Sequence, residues 1–155
     1  MQSLLSDVFD LRAIKLNLDG KTKEMVFVEL IDAIAALHPQ CDRAELFTAI
    51  RKREEKMNTG IACGAAIPHA FCKGIDNIAG AIGISQQGID YGALNDKPVN
   101  VVFLLAINDH AKENHLSILN LIFDLAQSEA IAVMKNAKTA EDIHAILSRI
   151  RYDVQ

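Results

Sequence analysis

Residues 58–70 read NTGIACGAAIPHA, and this stretch decides how we interpret the rest of the chain. Its apolar segment Ala65–Ile67 predicts a short strand that ends at Pro68, whose ring fixes the backbone directly before His69. The next residue, Ala70, is small. An ordinary strand end is one interpretation of such a pair. A histidine that served only in packing would not require a rigid backbone before it and a small residue after it. We therefore take His69 as our candidate reactive group.

The composition is that of a single globular domain covering residues 1–155. Half of the residues are hydrophobic, 23% are charged and the formal net charge is −4, so the chain is not of the disordered class. Because the chain is acidic and has no block of Lys or Arg, we expect neither a nucleic-acid partner nor an anionic membrane surface. The first residues lack a basic segment followed by an apolar one, and no apolar run approaches the roughly 18 residues that suggest a membrane span. We therefore expect a cytoplasmic protein without direct membrane insertion.

Three cysteines, Cys41, Cys63 and Cys72, make an odd count without a C-x-x-C pair. This count argues against a disulfide framework and fits a reducing compartment. A metal site built from Cys63, His69 and Cys72, with or without His115, is one alternative. It lacks the paired ligands of structural zinc sites, so we expect no metal and no cofactor.

The hydrophobic pattern predicts alternating strands and helices along the chain. The expected elements are a strand at Leu11–Leu18, a helix at Lys23–Leu37 capped by Thr22, a helix from the Asp42 cap to about Lys56, a strand at Ile78–Ser85, an exposed turn-rich segment at 86–92, a strand at Val99–Ile107, a helix from His115 to about Gln127, a short helix at Glu129–Asn136 and a last helix from Thr139 to about Arg151. The run Val99–Ile107 is apolar almost throughout, which is typical of a strand covered on both faces. We therefore expect an α/β fold with helices on both sides of the sheet.

Two further polar residues stand where a polar side chain needs an explanation. Arg53 follows Ile50 by three residues and Leu46 by seven, which places its guanidinium on the buried stripe of the second helix. It either reaches solvent at the helix end or holds an anion. His115 follows Asn114, a good N-cap, and would be the first residue of an apolar helix. A helix N-terminus favours a phosphoryl group.

The chain contains no nucleophile elbow and no glycine-rich phosphate loop, which leaves histidine chemistry. Phosphoryl transfer to an imidazole requires one unprotonated nitrogen, a hydrogen bond that fixes the other, and positive groups around the transferring oxygens. Arg53, His115 and backbone amides would supply the last of these around His69.

The pattern Thr59-Gly60-Ile61-x-x-Gly64-x-Ala66-Ile67-Pro68-His69 resembles the active-site signature of enzyme IIA domains of the phosphoenolpyruvate-dependent phosphotransferase system, in the fructose/mannitol class. That class includes the nitrogen-regulatory IIA proteins. Supporting matches are Arg53-Glu54, Gly88-Ile89-Asp90-Tyr91-Gly92-Ala93, Lys97-Pro98-Val99 and His115-Leu116. The chain departs from the family pattern at Ala62-Cys63, where a polar pair such as Gly-Asn is usual, and at Ala70, where Gly is common.

The resemblance implies a mixed β-sheet sandwiched between helices, with His69 as the phosphorylated residue and His115 and Arg53 as its supporting groups. By the same resemblance, the phosphoryl donor is HPr or its nitrogen-branch counterpart, and the acceptor is a cysteine on a IIB domain during sugar uptake. The alternative is a nitrogen-regulatory IIA protein, in which the phosphorylation state of His69 controls binding to regulatory partners without sugar transport.

Overall fold

The computed structural model of the chain describes residues 2–61, 63–92 and 97–154. The strands are β1 Gln2–Leu4, β2 Phe9–Lys15, β3 Gly60–Ile61, β4 Ala65–Ala66, β5 His69–Phe71, β6 Ile78–Ile89, β7 Val99–Ile107 and β8 Arg151–Asp153. The helices are α1 Lys23–Leu37, α2 Arg43–Lys56, α3 Lys112–Ala126, α4 Ala130–Lys135 and α5 Ala140–Leu147, with short 3-10 turns at Leu5–Asp7 and Asp109–Ala111. Among these helices, none has the length and apolar character needed to cross a membrane.

The central sheet is mixed, as expected. Its strand order is β2-β6-β7-β4-β3, and β5 also pairs with β7. The β2–β6, β4–β7 and β5–β7 pairs are parallel, whereas β6–β7 and β3–β4 are antiparallel. Strands β1 and β8 form a separate antiparallel pair.

Helices cover both faces of the sheet, because β7 sends alternate side chains into two cores. Val102, Leu104 and Ala106 lie in the core beneath α1 and α2. On the other face, Val101, Phe103, Leu105 and Ile107 pack with the side chains of α3, α4 and α5. The predicted architecture of helices on both sides of a buried strand is therefore confirmed.

Strands β4 and β5 lie along the same side of β7, and residues Ile67 and Pro68 separate them. Proline lacks a backbone N–H, so the ladder is interrupted there. The Pro68 carbonyl still accepts a hydrogen bond from the Leu105 N–H at 2.9 Å. The pairing of β5 with the central strand thus begins at His69.

Helices α1 and α2 begin as the sequence predicts. Thr22 accepts a hydrogen bond from the Met25 N–H, and Asp42 accepts one from the Glu45 N–H. A glycine of β6 allows close packing next to α1: a Cβ on Gly83 would lie 2.7 Å from side-chain carbons of Leu18. A larger residue would displace the chain that enters α1.

Three predicted boundaries are wrong. The strand expected at Leu11–Leu18 starts earlier and ends at Lys15. The segment expected to be exposed after Ser85 continues β6 to Ile89, and Ile89 is buried because it packs into the core beneath α1. The last helix ends at Leu147 rather than near Arg151, since the following residues pair with β1 at the chain's other end.

Helix α3 differs most from its prediction. Asn114 does not cap it: the N-cap position is Ala111, and the 3-10 turn before it follows Asn108, whose side-chain oxygen accepts a hydrogen bond from the His110 N–H at 2.8 Å. The helix therefore starts at Lys112, which makes His115 its fourth residue. The sequence pattern predicts a buried face of Leu116, Leu119, Ile122, Phe123 and Ala126, and this prediction is wrong in part. The structure buries Ile118, Ile122, Leu125 and Ala126 together with Asn114, and leaves Leu116 and Phe123 61% and 44% exposed.

Candidate functional site

His69 is the first residue of β5 and lies at the point where the ladder resumes after Pro68. The neighbouring Ala66 and Ala70 are buried beneath α2, so the strand itself is firmly held in the core. The imidazole is only partly covered and reaches the surface. This placement combines a fixed backbone with an accessible ring.

One ring nitrogen of His69 is occupied by a local hydrogen bond. Its Nδ1 lies 2.7 Å from the carbonyl oxygen of Ile67. A carbonyl oxygen only accepts, so Nδ1 carries the hydrogen and donates it. The neutral ring then has its lone pair on Nε2, which is the nitrogen left for chemistry.

The surroundings of His69 favour its neutral form. Burial is the largest cause that lowers its pKa below the ordinary 6.5, and the positive charges of Arg53 and His115 lower it further. The hydrogen bond to Ile67 and the negative charge of Glu54 act in the opposite direction. A neutral imidazole is the nucleophilic form.

Arg53 lies in the last turn of α2 and is partly exposed. Its Nη1 donates a hydrogen bond to the Met57 carbonyl at 3.1 Å, which uses one of the five N–H donors of a guanidinium. The predicted stripe runs instead through Leu46, Ile50 and Glu54, spaced four residues apart, and all three are buried. Arg53 flanks this stripe, on the helix that packs against the strand of His69.

His115 reaches the same region from the opposite side of the sheet. Its ring meets the ring of Phe71 edge to face, with centroids 5.4 Å apart, and Phe71 is the last residue of β5. The structure thus brings together all three predicted site residues, His69, Arg53 and His115. The other histidines, His38, His110 and His144, lie elsewhere, partly or fully exposed.

A buried polar cluster lies behind the site, formed by Lys23, Glu54, Thr59 and Tyr91; we call it the Glu54 cluster. The Glu54 carboxylate accepts hydrogen bonds from the Thr59 N–H at 2.8 Å and the Thr59 hydroxyl at 2.7 Å. Lys23 Nζ lies 2.9 Å from Glu54 and 4.5 Å from the centre of the Tyr91 ring. The Tyr91 hydroxyl lies 2.9 Å from Thr59 Oγ1.

The sequence alone does not reveal this cluster. The sequence does indicate that Glu54 lies on the buried face of α2, because Leu46, Ile50 and Glu54 are spaced as residues of one helix face. Thr59 and Tyr91 are far apart in the chain, and nothing local indicates that their side chains meet. Asn58 accepts a hydrogen bond from the Gly60 N–H at 2.7 Å, which forms a local turn, and also donates one to the Tyr91 carbonyl at 3.0 Å.

The cysteines do not assemble around His69. Cys41 and Cys72 are buried with their sulfurs 4.0 Å apart, and Cys63 is exposed. Burial raises the pKa of Cys72 to about 12. Within residues 2–61, 63–92 and 97–154, no three histidine, cysteine or acidic side chains are grouped as a metal ion would require. Ala62 and Ala93, which belong to the compared motifs, lie outside the described residues.

Comparison with known proteins places this site in a family. Residues 7–150 match the family model described as "Phosphoenolpyruvate-dependent sugar phosphotransferase system, EIIA 2". Over 146 residues the chain is 34% identical to the fructose-specific EIIABC component of Bacillus subtilis, an alignment that covers 94% of this chain but 23% of that protein. It is 29% identical over 132 residues to a nitrogen regulatory protein of Pseudomonas aeruginosa, covering 84% and 86% of the two chains.

Comparison with solved structures gives the same family. The crystal structure of the nitrogen regulatory protein IIA-Ntr from Neisseria meningitidis superposes with a TM-score of 0.84 at 27% identity, covering 94% of this chain and 99% of that one. The chain belongs to the EIIA type-2 family of the phosphoenolpyruvate-dependent phosphotransferase system, whose members are phosphoryl-transfer components.

Proposed function

We propose that the protein is a phosphocarrier that accepts a phosphoryl group on Nε2 of His69 from an HPr-type carrier or its nitrogen-branch counterpart, and passes it to a IIB domain. The observation that carries this proposal is the hydrogen bond from His69 Nδ1 to the Ile67 carbonyl. It leaves Nε2 with its lone pair on a partly exposed ring, as in-line attack on phosphorus requires.

The phosphoryl group is accepted and released by the same type of reaction, a nucleophilic substitution at phosphorus. The Nε2 lone pair forms the bond to phosphorus while the bond between phosphorus and the donor's nitrogen breaks, and the donor keeps that electron pair. In the second step a nucleophile of the acceptor, by family resemblance a IIB cysteine, attacks the phosphorus. The electron pair of the breaking bond then returns to Nε2.

Arg53 and His115 supply the positive charge that the transferring oxygens need. Both are close enough that their charges lower the pKa of His69. They approach it from opposite layers of the fold, since Arg53 lies on α2 and His115 on α3. Such groups stabilise a phosphoryl group most when they are positioned in advance.

The surface beside His69 supports a protein partner. Phe71, which contacts His115, is 43% exposed, and Leu116 and Phe123 are also exposed. Leu116 and Phe123 are seven residues apart and so lie on one helix face. Exposed apolar side chains that share one helix face are typical of an interface.

The test is incubation with phosphoenolpyruvate, enzyme I and HPr, followed by measurement of acid-labile phosphate on the protein. We expect wild type to be labelled and His69→Ala to remain unlabelled. His144→Ala, which alters a partly exposed histidine on α5, is the matched control and should be labelled normally. Equal labelling of His69→Ala and wild type would show that another residue is the acceptor.

A second candidate function is nitrogen regulation, in which the phosphorylation state of His69 controls binding to regulatory partners. The TM-score of 0.84 with a IIA-Ntr structure favours it. Transfer from the labelled protein to a purified fructose-type IIB domain discriminates between the two. Rapid transfer supports the carrier function. Stable label in the presence of the IIB domain supports regulation.

A further inference from the structure

The Glu54 cluster contains a carboxylate that the phosphoryl-transfer step does not use directly. Glu54 is 7% exposed, and its two oxygens accept three contacts, two from Thr59 and one from Lys23. A buried ion pair of this kind is often no more stabilising than neutral residues of similar size. Support of the fold alone therefore does not explain why the residue is charged.

The hydrogen bonds of the cluster have a defined direction. A carboxylate only accepts, so the Thr59 hydroxyl donates its hydrogen to Glu54, and the Tyr91 hydroxyl must donate to Thr59 Oγ1. Burial, followed by the negative charge of Glu54, raises the pKa of Tyr91, which keeps that hydroxyl protonated as a donor. Thr59 is therefore fixed by three hydrogen bonds: its N–H and its hydroxyl donate to Glu54, and its hydroxyl oxygen accepts from Tyr91.

Thr59 is connected in turn to the reactive ring. Its carbonyl accepts a hydrogen bond from the Ile67 N–H at 3.1 Å. Ile67 then uses its own carbonyl to accept from His69 Nδ1 at 2.7 Å. The carbonyl that selects the ring tautomer thus belongs to Ile67, and Ile67 is hydrogen-bonded to Thr59, which Glu54 holds in place.

The negative charge of Glu54 also has the sign that favours the reaction. When Nε2 attacks phosphorus, Nδ1 keeps its hydrogen and the ring becomes positive. Glu54 favours a positive ring at His69, opposing Arg53 and His115. An interaction that strengthens as charge develops lowers the barrier.

We propose that Glu54 is a positioning residue for phosphoryl transfer, which holds Thr59 and, through Ile67, keeps His69 in the tautomer with a free Nε2. This inference depends on the proposed function of His69 as phosphoacceptor. Glu54 does not touch the reacting atoms. It acts through the backbone that carries the ring's hydrogen-bond acceptor.

The test compares Glu54→Gln with Glu55→Gln, which removes the same charge from the next residue, where the side chain is exposed. Two measurements are made on each: the ring ¹⁵N chemical shifts of His69 in the unphosphorylated protein, and the rate of labelling by phosphoenolpyruvate, enzyme I and HPr. We expect Glu54→Gln to increase the tautomer protonated at Nε2. We also expect its labelling to slow by up to about 100-fold, as when a reacting group is misplaced by about 1 Å. Glu55→Gln should change neither.

A second pair of variants keeps the test decisive if Glu54→Gln does not fold. Thr59→Val removes only the hydroxyl and should change the tautomer and the rate in the same directions, whereas Thr59→Ser should restore both. Wild-type ¹⁵N shifts in Glu54→Gln, or in Thr59→Val, would overturn the inference even if labelling slows. Failure of wild type itself to be labelled would instead overturn the proposed function, and the ¹⁵N comparison would still decide whether Glu54 selects the tautomer.

Discussion

His69 and Ile67, two residues apart, are joined by a hydrogen bond of 2.7 Å from the ring Nδ1 to the backbone carbonyl. Pro68 lies between them and restricts the backbone that makes this contact. The ring is consequently held in one tautomer by the segment that directly precedes its strand. Much of the chemistry that we propose depends on this short-range contact.

The phosphoryl group is expected on Nε2 and not on Nδ1 of His69. Because Nδ1 donates to Ile67, its lone pair is not available to attack phosphorus. Long-range ¹H–¹⁵N spectra of the phosphorylated protein distinguish the two isomers by the nitrogen that couples to ³¹P. Coupling to Nδ1 would contradict the assignment.

Phosphoryl acceptance should persist below pH 6.5, the ordinary pKa of histidine. Burial and the charges of Arg53 and His115 lower the pKa of His69, so the ring stays neutral where a free histidine is half protonated. The rate should fall only as the pH decreases through this lowered value. Titration of the ring ¹⁵N shifts gives the pKa, and labelling rates over the same range give the profile.

Arg53→Gln provides the control for this pH dependence. Removing the positive charge beside His69 should raise its pKa and move the acid limb of the rate profile to higher pH. The sign follows because a nearby positive charge opposes protonation. A pKa of His69 at or above the ordinary value in wild type, or no change in Arg53→Gln, would contradict the prediction.

His115→Ala should slow both transfer steps without unfolding the protein. The ring is partly exposed and is not one of the buried core side chains, so its truncation should leave the fold intact. The loss should be on the order of 100-fold, as for removal of one preorganised donor to a developing charge. Single-turnover rates with HPr and with a IIB domain measure it, and unchanged kinetics in both would exclude a catalytic role.

Leu116→Ser and Phe123→Ser should weaken recognition of the phosphoryl donor. Loss of an apolar contact at an interface commonly costs about 1 kcal/mol or more, which is roughly a fivefold rise in KM for HPr. Val133→Ser is the matched control, because Val133 is a 57% exposed apolar residue on α4, on a different helix. An equal effect of all three substitutions would argue against a specific surface beside His69.

Ile122→Ala and Leu116→Ala should differ sharply in stability. Ile122 is fully buried in the core under α3, so its truncation should lower the free energy of unfolding by about 2–5 kcal/mol. Leu116 is exposed, and its truncation should cost less than about 0.5 kcal/mol. Urea unfolding followed by circular dichroism provides both values. A reversed order would mean that α3 presents its other face to the sheet.

The sequence predicts those elements whose pattern has a single interpretation. The run Val99–Ile107 is buried on both faces, and its predicted bounds agree with β7. Helix α1 likewise agrees, because Thr22 caps it and the apolar residues follow one stripe. Local signals and tertiary packing coincide in both elements.

Helix α3 could not be oriented from its sequence because apolar residues occur on more than one side of it. Leu116 and Phe123 fit one stripe, and Ile118, Ile122 and Leu125 fit another. Packing against the sheet selects the second stripe and leaves the first exposed to solvent. The Glu54 cluster is equally hidden in the sequence, because its members come from α1, α2, the segment before β3 and the segment after β6, and only tertiary packing brings them together.

The placement of His69 on a strand paired with β7 has a consequence for how a partner would recognise the two states of the protein. The backbone of residues 69–71 is tied to a strand that is buried along almost its whole length. With His69 as the proposed phosphoacceptor, we expect the phosphorylated and free forms to share one backbone conformation. A partner would then distinguish them by the charge of the phosphoryl group and not by a change of fold.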